Sequence, residues 1–354
     1  MDSLLSKQEC AIGRGLAIVC IMLHNYCHAF DFAIQESEFN FALDQSLRWG
    51  DYLHHIDGNF LINVFSTWGI YSLPLFFFLA GYGLVLKYES AGAAAVKPLS
   101  FVWQHYRKLL CLMVIPLAIF VVMQLAVAHR TDLTPVGLVL QLTTLVNWFP
   151  QYHIVPGPYW FLGAIMQIYV LYLVLYYCRK GVMSWMLPLL LAVGGFVAHV
   201  VVPGESVLAG WMRYNFPVAL LPFAMGLVAA RYGVKWRLNT MWTAVTLVLA
   251  SVLLIAFSFN YVLWGLNYGI AIVACISMVK LVGGRMAQVM VQIGTLSSLL
   301  YVIHPIVRWA VMGAAMKLGR MPHIEILIYL TVTAVAVMVY KKLRLDELAS
   351  KIIK

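Results

Sequence analysis

The chain has 354 residues, of which 63% are hydrophobic and only 11% charged, with a formal net charge of +10. A soluble domain carries roughly 25% charged residues, so this chain has too little polar surface to cover a globule in water. Its mean hydropathy of +0.86 and its apolar runs near 20 residues suit helices crossing a bilayer core of ~30 Å, while the lack of an alternating ten-residue pattern argues against a β-barrel.

The polar start MDSLLSKQEC leads into a first predicted span, Ile12–Phe30, which holds Arg14, His24 and His28. No small-residue cleavage site closes that run, so it reads as a retained helix rather than a signal peptide. Ten helical steps from Arg14 to His24 cover about 15 Å along the axis. With Arg14 at the inner interface, His24 falls near mid-bilayer. That spacing suits a reaction joining a cytoplasmic donor to an acceptor from the other side. The competing reading has Arg14 snorkelling to lipid phosphates and His24 as a hydrogen-bonded core histidine.

The second predicted span is Phe60–Leu86, where Gly81 and Gly83 are expected to allow close helix approach and Tyr82 to offer a hydroxyl. The third, Leu109–Ala128, follows the basic pair Arg107 and Lys108. The fourth, Tyr159–Cys178, opens on PGPYW, and Trp160 at its outer end is by base rate an interface anchor. The fifth to eighth are Met183–Val202 with His199, Trp211–Ala230, Trp242–Ser258 and Tyr261–Val279. The ninth, Val289–Gly313, is the most polar, carrying Gln292, Ser297, Ser298, His304 and Arg308. Pro305 inside it frees a backbone carbonyl and kinks the helix. His304 at that break either reaches a water-filled interior or stabilises the kink itself. The tenth is Ile324–Tyr340. The expected fold is therefore all-α, a polytopic helix bundle of about ten transmembrane helices in one domain over residues 1–354, with no added soluble domain.

Lysine and arginine set the orientation. With the N-terminus inside, 18 of the 24 basic residues lie on the inner side, and Arg48, Arg130, Arg213, Arg308, Lys317 and Arg320 remain outside. This predicts an N-in, C-in topology, with Lys97 and Lys354 inside and Glu38 and Asp132 outside. The positive charge then meets anionic lipid or an anionic cytosolic cosubstrate and needs no nucleic acid. Two long outer segments, Asp31–Asn59 with His54-His55 and His129–Pro158, are candidates for function. The six cysteines lie in or beside apolar spans without a CxxC pair, so they read as small buried hydrophobes, and no metal site is expected. No Asp or Glu is expected within an apolar core. Acid–base chemistry at membrane depth then rests on histidine, whose unperturbed pKa near ~6.5 suits a base at neutral pH.

The ordered elements RGLAIVCIMLHN, PLFFFLAGYGL, PYWFLGAIMQIY and LSSLLYVIHP, from Arg14 to Pro305, resemble the membrane acyltransferase 3 family, bacterial inner-membrane enzymes that O-acylate sugars, mostly surface polysaccharides. The resemblance implies a ten-helix fold, an acyl-CoA donor bound from the cytoplasm, acetyl-CoA in the first instance, and a carbohydrate acceptor reached from outside. It also implies that Arg14 and His24 are essential. Nine residues separate them here, one fewer than the family's usual spacing. Ten steps leave the two about 80° apart around the helix, so Asn25 faces Arg14 and His24 is its neighbour. Either His24 serves despite the offset or the helix is locally overwound or bulged. Ala80 stands where the family often has serine. On this reading His24 is the general base with Asn25 beside it, and Arg14, Arg107 and Lys108 hold the donor's phosphates. Tyr82, His304, Trp160 and His28 are candidates to orient groups or meet the acceptor. Two other readings compete: an exporter of polysaccharide or lipid-linked sugar, which would need no donor site, and an inactive relative.

Overall fold

The computed structural model describes residues 3–35, 41–127, 133–204 and 206–353. Glu38, Arg130, Asp132 and Lys354 lie outside the described residues. The described chain is all-helical. In order the α-helices are α1 (Lys7–Cys27), α2 (Leu43–His54), α3 (Phe60–Trp68), α4 (Pro74–Tyr88), α5 (Pro98–Ala126) and α6 (Pro135–Leu142). Next come α7 (Trp160–Tyr177), α8 (Met183–Val201), α9 (Val207–Tyr214), α10 (Leu220–Arg231) and α11 (Thr240–Phe257). The last are α12 (Tyr261–Trp264), α13 (Asn267–Leu281), α14 (Gly284–Thr295), α15 (Ser297–Leu318), α16 (Pro322–Lys342) and α17 (Leu345–Ile352).

Among the described residues, eight helical segments are long and apolar enough to cross a membrane. They become nine if the pair Val207–Tyr214 and Phe216–Arg231, bent by 56°, counts as one span. The predicted sixth span is that bent pair. The predicted eighth is α13, only 15 residues long, or about 22 Å of helix. The predicted ninth straddles two helices. Its start belongs to α14, and the spanning segment is Ser297–Leu318.

The first compact unit comprises residues 1–95, 172–213 and 217–297. Helix α1 starts before the predicted span because Ser6 and Glu9 form a capping box. The Ser6 hydroxyl accepts from the Glu9 N–H, and the Glu9 carboxylate accepts from the Ser6 N–H, which satisfies two otherwise orphaned donors. From there α1 packs on α14, and α4 on α10. Both contacts bring backbone against backbone. A Cβ on Gly15 would collide with the Met290 carbonyl, and one on Gly294 with the Ala11 carbonyl. Gly81 and Gly226 play the same part between α4 and α10. Apolar side chains have little reason to prefer a helix over lipid tails, so small residues that permit close van der Waals packing are what hold such helices together. Gly83, expected to share this role, has open space where its side chain would be. Ile12, Ala17, Leu75, Phe78, Tyr82, Ile272 and Val279 form the apolar core of this unit.

The second unit comprises residues 96–171, 214–216 and 298–354. Here α17 lies on α5 and on α16. The PGPYW segment is tied to α15 twice. The Tyr159 hydroxyl donates to the Val302 carbonyl at 2.7 Å, and the Tyr301 hydroxyl donates to the Pro158 carbonyl. Asn147 donates to the Trp160 carbonyl at 2.7 Å, so the start of α7 is held from both sides.

Candidate active site

Helix α1 is an unbroken α-helix from Lys7 to Cys27. No bulge or overwound turn brings His24 round to face Arg14, and the offset of about 80° stands. Arg14 is partly buried, whereas His24 and Asn25 are buried and His28 is half-buried. The His24 and His28 rings lie 5.2 Å apart.

What meets His24 is a break in the second span. Between α3 and α4 the chain tightens into a 3₁₀ turn, Gly69–Ser72. Pro74 sits at the start of α4, where its missing N–H costs nothing. His24 is 1% exposed, and its Nδ1 lies 3.3 Å from the Phe65 carbonyl oxygen, one turn before the break. A carbonyl oxygen only accepts, so this contact assigns the proton to Nδ1 and makes Nε2 the basic nitrogen. Gly69 is required for the approach, because a Cβ there would sit 2.8 Å from the His24 Cβ. The Ser72 hydroxyl adds a bond to the Ala17 carbonyl at 3.2 Å. The Asn25 amide nitrogen donates to the Ile21 carbonyl at 2.9 Å. One turn before His24, Cys20 lines an apolar cavity of about 150 Å³ together with Leu16, Gly69, Ser72 and Cys275.

Tyr82 has a different setting from the one its motif suggested. Its hydroxyl accepts from the Leu5 N–H at 3.1 Å and donates to the Leu5 carbonyl at 3.2 Å, seating the segment that precedes α1.

Arg107, Lys108, Trp160 and His304 belong to the second unit. Arg107 is half-buried and Lys108 exposed on α5. Trp160 is buried, its ring edge-on to Tyr214 at 5.8 Å; it packs inside its unit rather than lying at an interface. His304 is 0% exposed, and its Nδ1 donates to the Leu300 carbonyl one turn back at 3.0 Å. The structure therefore places Arg14, His24 and Asn25 on α1 with His28 at its C-cap, and sets His304 and Trp160 on elements joined through the PGPYW segment.

Several polar residues escaped the sequence reading. Glu89 and Arg231 form a buried bidentate ion pair at 2.8 and 2.9 Å, and the Tyr172 hydroxyl donates to Glu89 at 3.0 Å. Glu325, in the first turn of α16, is buried against Arg320. The expectation that no Asp or Glu lies within an apolar core is thus corrected: Glu89 follows α4 just past the predicted second span, and Glu325 lies within the predicted tenth span, in the first turn of α16. Likewise α5 begins at Pro98 and carries a buried His105, ring to ring with Phe101 at 4.1 Å and Tyr169 at 4.3 Å. His199, noted in the sequence, accompanies Tyr261, Trp264 and Arg213 around a cavity of about 90 Å³ in the first unit. In the loop after α2, the Tyr52 hydroxyl donates to Asp57 at 2.6 Å and holds its carboxyl below the usual carboxylate range. All six thiols are free.

Compared with known protein families, the chain matches acyltransferase 3, described as an acyltransferase domain, over residues 11–341. No curated protein and no solved structure matches it.

Proposed function

The chain belongs to the acyltransferase 3 family over nearly its whole length, and from that premise we propose that it moves an acyl group, acetyl in the first instance, from cytoplasmic acyl-CoA to a hydroxyl of a sugar or surface polysaccharide. The observation that carries this reading is His24, buried and hydrogen-bonded through Nδ1, with Nε2 as the basic nitrogen. Nε2 takes the acceptor's hydroxyl proton as that oxygen bonds to the thioester carbonyl carbon. The carbon–sulfur bond then breaks, and the CoA sulfur leaves with the proton returned from the imidazolium. Asn25 orients the reacting groups or steadies the developing oxyanion, and His28 is the candidate to meet the acceptor; His304 and Trp160, both buried in the second unit, remain candidates for the same two roles. Tyr82 contributes by seating the segment before α1.

Arg14 holds the donor's phosphates, with Arg107 and Lys108 as further contacts. Arg14 and His24 are about 15 Å apart along α1, so a donor head at the inner surface reaches the base with its thioester. Arg14→Ala is expected to weaken acyl-CoA binding about ten- to a hundredfold, the scale of a lost charge-assisted hydrogen-bond pair. Arg14→Lys should restore little, since a point charge does not replace a planar fork. Binding measured on purified protein decides this: unchanged affinity in folded Arg14→Ala removes Arg14 from the donor site. Saturable acyl-CoA binding would also set the protein apart from an exporter.

The same reading makes residues 1–354 one acyltransferase domain in a bacterial inner membrane, N-in and C-in, on the 18-to-6 distribution of basic residues. Cysteine labelling in intact cells should mark Glu38→Cys and spare Lys97→Cys. The reverse pattern overturns the orientation.

A further inference from the structure

The least expected group in the second unit is Gln124, near the end of α5. It is 0% exposed, and neither atom of its side-chain amide has a hydrogen-bond partner among the described residues. An amide buried without partners is costly, and native proteins almost always satisfy it. Gln124 lines a cavity of about 240 Å³ with Phe120, His153, Arg308, Trp309 and the chain from Ile154 to Gly157.

The lining indicates what would satisfy the amide. An acyl chain would leave both its atoms unpaired. A phosphate or carboxylate only accepts, so it would pair the amide nitrogen and leave the carbonyl oxygen unsatisfied. Among the described residues no Asp or Glu lines the cavity, so its lining offers no carboxylate to a cation. A hydroxyl both donates and accepts, so two neighbouring hydroxyls can satisfy both ends of one amide. The guanidinium of Arg308 and the imidazole of His153 add polar groups, and Trp309 and Phe120 offer flat apolar surface for ring C–H groups. A few placed polar groups among aromatic walls are the usual make-up of a small-ligand site.

We infer that this cavity binds one monosaccharide unit of the acceptor, with Gln124 bridging two of its hydroxyls. The inference rests on the acyltransferase reading for its purpose, and on Gln124 and the cavity for its chemistry.

The test uses the full-length protein in nanodiscs, with methyl glycosides of common hexoses and deoxyhexoses as probes. Gln124→Leu removes the amide at similar volume. Wild type should bind at least one probe saturably, and Gln124→Leu should bind it about tenfold more weakly or worse, with acyl-CoA affinity unchanged and the melting temperature not lowered. Trp309→Leu, on the same cavity, should weaken the same probe. Three results overturn the inference: no saturable binding by wild type across the panel, equal affinity in Gln124→Leu, or a lowered melting temperature in Gln124→Leu, which would mean that the amide is satisfied by the protein. Binding through Gln124 without any acyl transfer would support the sugar site and defeat the transferase reading. Transfer to the probe with an unchanged acceptor KM in Gln124→Leu would do the opposite.

Discussion

His24→Ala is expected to cut acyl transfer about 10²–10⁴-fold, the usual contribution of a positioned general base, while acyl-CoA binding stays largely intact. The expectation follows from what surrounds the ring. His24 is buried, its Nδ1 is committed to the Phe65 carbonyl at 3.3 Å, and Nε2 is the basic nitrogen. Asn25 is better phased to Arg14 but cannot accept a proton at neutral pH. His28, one turn further along the chain and half-buried, is the rival. It stands about 5.4 Å further from Arg14 along the helix axis, so His28→Ala should be the milder change. Asn25→Ala should slow the reaction if its amide carbonyl holds the acceptor. Gly69→Ala is an independent check on geometry, because its added Cβ would press on the His24 Cβ from 2.8 Å. It should lower the rate with the imidazole itself still present. Glycan acylation in cells carrying each variant at matched membrane levels is the measurement. Full activity in His24→Ala, or total loss confined to His28→Ala, would show that His24 is not the base.

The largest effect on stability is expected at Glu89. Its carboxylate and the Arg231 guanidinium are only 8% and 6% exposed and meet through two hydrogen bonds. Tyr172 donates to the same carboxylate, and Arg231 also donates to the Ser184 and Leu175 carbonyls. Removing one partner of such a pair strands the other charge, at a cost of about 3–5 kcal/mol. Glu89→Ala should therefore melt well below wild type and accumulate poorly in membranes. Replacing both, as Glu89→Leu with Arg231→Met, should recover most of the loss, since a well-packed apolar pair can equal a buried ion pair. Thermal melting in detergent across the three variants tests this. A Glu89→Ala protein with normal melting but no activity would move the pair from the scaffold to the chemistry.

The sequence reading located the apolar segments because a bilayer leaves a strong imprint on composition. It also found Arg14, His24 and His304, since a polar side chain in an apolar run stands out. What it missed lies at the edges of those runs. The Ser6–Glu9 capping box extends α1 into polar sequence. The first turns of α5, which hold His105, look like a basic loop. Glu89 and Arg231 are 142 positions apart, and no local pattern pairs them. The break at Gly69–Ser72 was equally hidden: GIYSLP contains one glycine and one proline, and hydropathy does not change across it. That break presents the Phe65 carbonyl to His24, so the legible histidine depends on an illegible turn. Gly81 and Gly83 looked equivalent, and only packing separated them.

The seating of α1 against α14 limits how the protein can vary. Gly15 lies under the Met290 carbonyl and Gly294 under the Ala11 carbonyl, so α1 cannot slide or turn without driving a side chain into backbone. Helix α1 is thus a locked gauge whose only adjustable setting is its residue count. Adding one residue between Gly15 and His24 would lengthen the reach by about 1.5 Å, a small change, but would swing the imidazole by about 100°. That rotation would carry it off the Phe65 carbonyl and away from the gap that Gly69 leaves. The interval from Arg14 to His24 is therefore held as a phase more than as a length, and a change in that count must be matched by a change in the facing span.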